Sequence, residues 1–174
     1  MMFSGADWIW TLFFGANIFL LLLGLLAGLI SLIAYILIAL GLYKAALKRN
    51  MQYPWLSWIP VARYYLIGLM LNNVLKITPR YKLQYFQYVF PGVMLVSILG
   101  SGSFLGGLAG FLTVVLAVLG YAALFRQYRE SNAVVYGVLA GIPFLQIIGS
   151  FFVLRIGDKP APDLSADTTV FPNS

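Results

Sequence analysis

Apolar residues run from Trp8 to Leu42 with only Gly15, Asn17 and Ser31 to interrupt them, which is more than the roughly 20 residues that carry a helix across a bilayer. Trp8–Phe14 reads as an interfacial stretch with Trp8 and Trp10 as belt residues, and the first span as about Ile18 to Tyr43. Lys44, Lys48 and Arg49 then close it. Three further apolar blocks have shorter or broken patterns. Tyr85–Gly100 reads as a short second span with a kink at Pro91-Gly92. The Gly-rich turn Gly100–Gly107 reverses the chain, and Phe104–Phe125 makes a third span closed by Arg126 and Arg129.

Two blocks are long enough to cross but are broken. Tyr53–Leu75 carries Pro54 and Pro60, the interface-seeking Trp55, Trp58, Tyr64 and Tyr65, and Arg63. An Arg at the centre of a span costs roughly 2.5–3.5 kcal/mol on insertion scales. Ala133–Leu154 is interrupted by Pro143 and Gln146 and followed by Arg155 and Lys159. Broken backbone at membrane depth is tolerated where protein surrounds it. The expected fold is therefore an all-α polytopic membrane protein: three full transmembrane helices plus two Pro-broken re-entrant or interfacial segments, with up to five spans. Residues 1–157 form one transmembrane domain, and 158–174 an extended polar tail rich in Pro, Asp, Ser and Thr.

Charge placement separates the topologies. The 174-residue chain carries 11 basic and five acidic residues, for a net charge of +6. Basic residues flanking spans mark the cytoplasmic side. If every block crosses, five basic residues lie inside and five outside. If both broken blocks turn back, the clusters at 44–49, 76–82, 126–129 and 155–159 all share one face. The second arrangement is expected, with the N-terminus outside and the first helix a signal anchor, since no basic n-region precedes it. A crossing Ala133–Leu154 block is the rival. These basic turns point to anionic lipid headgroups as partners; none is dense enough to suggest nucleic acid. The location this implies is the plasma (inner) membrane.

The chain contains a possible internal repeat. Gly41–Lys48 resembles Gly120–Arg126, each is followed by an Asn (Asn50, Asn132), and each Asn by an Ile-Pro (Ile59-Pro60, Ile142-Pro143). Units at about 18–75 and 104–154 would be related by an axis along the membrane normal, as in parallel transporter repeats. Three small-xxx-small pairs stand at Gly24/Gly28, Gly106/Gly110 and Gly137/Gly141. Such pairs let helices approach closely, within the chain first and between chains second.

Candidate chemistry is sparse. There is no His and no Cys, so imidazole bases, thiolates, disulfides and most transition-metal sites are excluded. The acids are Asp7, Glu130, Asp158, Asp163 and Asp167, none inside a span, which argues against paired-carboxylate catalysis and against proton or sodium coupling. No cofactor is expected. Arg63 is singled out, because a guanidinium offers a planar fork to a headgroup, phosphate or partner carboxylate; the plainer reading is an Arg snorkelling to lipid headgroups. Trp55, Trp58, Tyr65, Gln87 and Gln146 complete the candidate lipid or partner contacts.

The segment LYKAALKRNMQYPWLSWIPVARYYLIG resembles a family of small, uncharacterised bacterial integral membrane proteins through Tyr43, Asn50, Trp55, Leu56, Trp58, Ile59, Pro60, Tyr65 and Gly68. Arg63 stands where that pattern has Asn. The resemblance implies bacterial origin and membrane residence and carries no activity. The expected function is a non-catalytic accessory or scaffold subunit packed in a larger membrane complex. The alternative is a small transporter, channel or lipid-handling protein with a site at the repeat interface lined by Arg63, Gln87 and Gln146.

Overall fold

A computed structural model of the chain describes residues 7–78, 80–162 and 169–171, with side chains from Leu12 onward. The Trp8 and Trp10 side chains and most of the polar tail fall outside that set. Among the described residues the chain is mostly helical: α1 (Asp7–Lys48), α2 (Ala62–Met70), α3 (Phe86–Leu99), α4 (Phe104–Gln127), α5 (Ala133–Gly141) and α6 (Gln146–Asp158). Two of these, Leu12–Lys48 within α1 and Phe104–Gln127, are long and apolar enough to cross a membrane.

Trp8–Phe14 and the span that follows belong to one helix. α1 is one continuous 42-residue helix. Asn17 is accommodated because its Nδ2 donates to the Phe13 carbonyl at 2.7 Å, so the amide closes on its own helix instead of interrupting it. By contact the chain divides into two compact units, Met1–Ile33 and Ala34–Ser174. In the first, every residue from Leu12 to Ile33 is exposed.

In the second unit the ends of three helices meet. Arg49 donates through Nη1 to the Met70 carbonyl (2.8 Å) and through Nη2 to Gln127 Oε1 (2.7 Å), and Gln127 Nε2 reaches the same carbonyl at 3.0 Å. This ties the C-terminal ends of α1, α2 and α4 together. From there the chain runs away from that end. Pro54 opens a 3-10 turn, Pro54–Trp58, and the Trp58 carbonyl accepts from the Tyr35 hydroxyl, some 14 residues or about 21 Å back along α1 at 1.5 Å per residue. Pro60 ends the descent, and α2 climbs back. Tyr53–Leu75 is thus a descending turn and a returning helix, and its last residues belong to a strand.

That strand is a departure from the all-α expectation. Val74–Lys76 (β1) pairs antiparallel with Lys82–Gln84 (β2), in the register Val74 to Gln84 and Lys76 to Lys82. The alternation of burial along β1 (Leu75 inward, its neighbours half-exposed) suits a strand lying over a core. Backbone amides of Val170 and Phe171 donate to the carbonyls of Lys76 and Ile77, both at 2.9 Å, and Arg126 Nη2 holds the Val170 carbonyl at 3.0 Å. The far end of the chain is therefore fastened to β1, with Val170 fully buried.

α3 runs through Pro91 without a break. Its 14 residues make about 21 Å at 1.5 Å per residue, against a hydrocarbon core of about 30 Å. A short turn, capped by Ser103 Oγ accepting from the Gly106 amide at 3.1 Å, joins it to α4. α5 descends beside α4, with Gly137 against Ala122 and Gly141 against Val118. After Pro143 the chain turns back, and α6 returns with Gly149 against Ala140 and Gly157 against Gly41. Lys44 pairs with Asp158 at 2.8 Å, and Lys159 with Glu130. The hydrogen bond from Lys44 holds the exposed Asp158 carboxyl below the usual carboxylate range, so this contact is present above the ordinary carboxylate value and is lost as pH falls through the lowered one. Ala133–Leu154 thus leaves and regains the same end of the bundle.

Three helices stop alike. Asn50, Asn72 and Arg129 adopt positive φ (52°, 54° and 56°), and the next amide reaches back five residues: Met51 to Ala46, Asn73 to Gly68, Glu130 to Phe125. This is the Schellman closure, which favours Gly or Asn at the left-handed position. Asn50 and Arg129 thus play the same role at their helix ends. Asn132 instead precedes α5. Arg carries a Cβ penalty there that Gly lacks, and Arg129→Gly is expected to stabilise the protein by about 0.5–1 kcal/mol, read as a higher midpoint in thermal unfolding in detergent.

Candidate functional site

Arg63 begins as a consequence of Pro60. The proline ends the 3-10 descent, Ile59 is extended (φ −98°, ψ 122°), and its carbonyl accepts from the Arg63 amide at 2.9 Å to open α2. This first turn points the side chain inward. Arg63 is only 7% exposed, so the snorkelling arrangement does not hold: its charge lies in the bundle among aromatic rings.

The guanidinium carbon stands 5.1 Å from the Tyr35 ring centroid and 5.0 Å from that of Tyr64. Such contacts are worth roughly 0.5–2 kcal/mol each. Nη2 donates to the Tyr64 hydroxyl at 3.3 Å, a long bond. Nε and Nη1 have no acceptor. Tyr121, fully buried, is close enough to interact electrostatically with Arg63, and its hydroxyl is also without a partner. Ser57, on the 3-10 turn, is buried with its Oγ unpaired. Tyr64 packs on Phe90 at 4.2 Å between centroids, and Phe90 on Phe86 at 5.3 Å.

The other candidates divide. Gln87 on α3 is buried, its backbone is pressed against Gly68 of α2, and its Oε1 has no partner. Trp55 and Trp58 are exposed, and Tyr65 is half-buried, its ring 5.9 Å from that of Tyr88. Gln146 opens α6 at the tip of the α5–α6 hairpin and is half-buried. It stands on different elements from the Arg63 cluster. Of the glycines, Gly106 closes on the Gly100 carbonyl, Gly110 faces Ser97 Oγ, and Gly137 and Gly141 face α4. A Cβ added at Gly24 or Gly28 would meet nothing within 4 Å.

Three participants had no mark in the sequence. Tyr35 and Tyr121 lie on long apolar helices with little amphipathic signal, and Tyr64 reads as an interface residue beside Tyr65. Nothing in the local pattern says that these rings converge on Arg63. The spacing of Tyr64 and Gly68 along one face of α2, both toward α3, is the nearest available signal.

Compared with protein-family models, with curated proteins and with solved structures, the chain finds no match.

Proposed function

We propose that this chain is a non-catalytic integral protein of the bacterial inner membrane, serving as an accessory or scaffold subunit of a larger membrane complex. The observation that carries the reading is the stretch Leu12–Ile33. It is exposed at every position, apolar on every face, and at roughly 22 residues about 33 Å long, the thickness of a hydrocarbon core. A helix apolar all round belongs in lipid or among other helices. Gly24 and Gly28 form an open strip on it, which favours a second helix at close range.

The topology of this reading places the residues before α1 outside and the basic end of the bundle in the cytoplasm, where it meets anionic headgroups. α1, α3 and α4 cross. α3 does so with its flanks drawn to the hydrocarbon edge, at a modest cost in mismatch. The 3-10 turn with α2, and α5 with α6, enter from the cytoplasmic end and return. The second reading, a transporter, channel or lipid-handling protein, is favoured by the buried Arg63 and Gln87. It loses support from Gln146, which stands on α6 and not around Arg63.

Extraction in mild detergent is the test. The wild-type chain is expected to co-purify with a defined membrane protein in fixed ratio. Gly24→Leu/Gly28→Leu, which fills the strip, is expected to lose that partner at least tenfold while keeping its own size-exclusion profile. A monodisperse isolated wild-type chain overturns the subunit reading.

A further inference from the structure

Among the described side chains, no carboxylate balances the charge of Arg63. Among the described side chains the carboxylates are Asp158 and Glu130, and both are engaged at the basic end, with Lys44 and Lys159. The rings of Tyr35 and Tyr64 lie at 5.1 and 5.0 Å and engage the cation through their π systems, which do nothing for its N–H edge. Nε brings one N–H and Nη1 two, and none of these has an acceptor. Tyr121 adds a buried unpaired hydroxyl from α4. The Tyr35 hydroxyl is already committed to the Trp58 carbonyl, and the Tyr64 oxygen to Arg63 Nη2. What remains is a buried positive charge with three unmatched N–H bonds, and beside it one hydroxyl free to donate or accept.

We infer that Arg63, with Tyr121, is a binding site for one compact oxyanion of the phosphate type. Leaving the N–H groups of a buried cation unmatched is costly, and a single oxyanion with several lone pairs satisfies them together. A cation is repelled. The basic end is the side from which an anion would enter: the Arg63 backbone lies seven residues before Met70, about 10 Å along α2, and Met70 is held by Arg49. The shared chemistry is a phosphate group, either free or at the head of an anionic lipid. This site is independent of the subunit reading, because it lies in the second unit and needs no partner chain.

The experiment uses the full chain purified without phosphate and placed in nanodiscs of phosphatidylcholine alone or with phosphatidylglycerol. Inorganic phosphate is titrated into the first, with radiolabel to count bound equivalents; lipid retained by the second is counted by native mass spectrometry. One equivalent of phosphate bound in neutral nanodiscs identifies a free anion as ligand. One phosphatidylglycerol retained, without phosphate uptake, identifies a headgroup. Arg63→Gln is expected to lose binding at least tenfold, and Arg63→Lys to keep part of it, because a point charge replaces the fork. Tyr121→Phe, which removes only the hydroxyl, is expected to weaken binding two- to tenfold and serves where Arg63→Gln does not fold. Absence of both ligands from the wild type overturns the inference, as does unchanged binding in whichever of these variants folds.

Discussion

Gly149→Val is expected to unfold the α5–α6 hairpin and, with it, the basic end of the bundle. A Cβ at Gly149 meets the Ala140 amide nitrogen and Cα and the Leu139 carbonyl carbon, all backbone. No rotamer change relieves a clash of that kind, so the two helices must separate. Overpacking costs typically 1–3 kcal/mol when side chains can yield, and here about 3 kcal/mol or more is expected. Separation also pulls Gly157 from Gly41 and Asp158 from Lys44. The control is Gly107→Ala. Gly107 lies within α4 with nothing inside 4 Å, and replacing it relieves the conformational freedom of glycine, for a gain of about 0.5–1 kcal/mol. Thermal unfolding of the two variants in detergent should thus move in opposite directions. A Gly149→Val protein as stable as wild type would mean that α5 and α6 do not pack as a hairpin.

Cysteine labelling should give an all-or-none answer on orientation. The chain has no cysteine, so a single introduced thiol reports without background. Tyr81→Cys, at the exposed end of the β-hairpin, is expected to resist an impermeant maleimide in intact cells and to label after lysis. Ser101→Cys, in the exposed turn between α3 and α4, is expected to label in both. The argument is geometric. Val170 bridges β1 and Arg126, so the residues before α3 and those after α4 sit at one end, and the α3–α4 turn at the other. The proposed topology puts that shared, basic end in the cytoplasm. Labelling of Tyr81→Cys in intact cells would reverse the orientation, and equal labelling of both positions would remove α3 as a crossing element.

The parts of this fold readable in the chain are those set by long patterns or by single strong breakers. α4 is an example: its apolar run and closing arginines place it at Phe104–Phe125, two residues short of its observed end. Pro60 and Pro143 mark the two reversals for the same reason, since proline removes a donor and ends a helix locally. The hairpin at Val74–Gln84 was not readable, because its strands are three residues each and show no alternation long enough to stand out from an apolar helix end. The glycine pairs expose a different limit. Gly24/Gly28, Gly106/Gly110 and Gly137/Gly141 have one spacing and three surroundings: open space, a turn with a neighbouring serine, and a tightly packed helix. Spacing encodes the possibility of close approach, and tertiary position decides whether it is used. The Arg63 cluster follows the same logic. Its cation is conspicuous in sequence, but the rings around it come from α1, α2 and α4, which only the folded chain assembles.

Fastening Val170 and Phe171 to β1 has a consequence for how the molecule behaves among its own copies. A two-stranded hairpin has two rims, each a row of amide and carbonyl groups able to recruit a further strand. One rim of this hairpin is filled by the chain's own backbone. The other belongs to β2, where Lys82 and Gln84 are exposed. A lysine on an open rim repels the same lysine on an approaching copy, so lateral growth of the sheet is stopped on one side by occupancy and on the other by charge. On the membrane topology proposed above, such a sheet, held at high density in two dimensions, can persist without becoming a seed for aggregation.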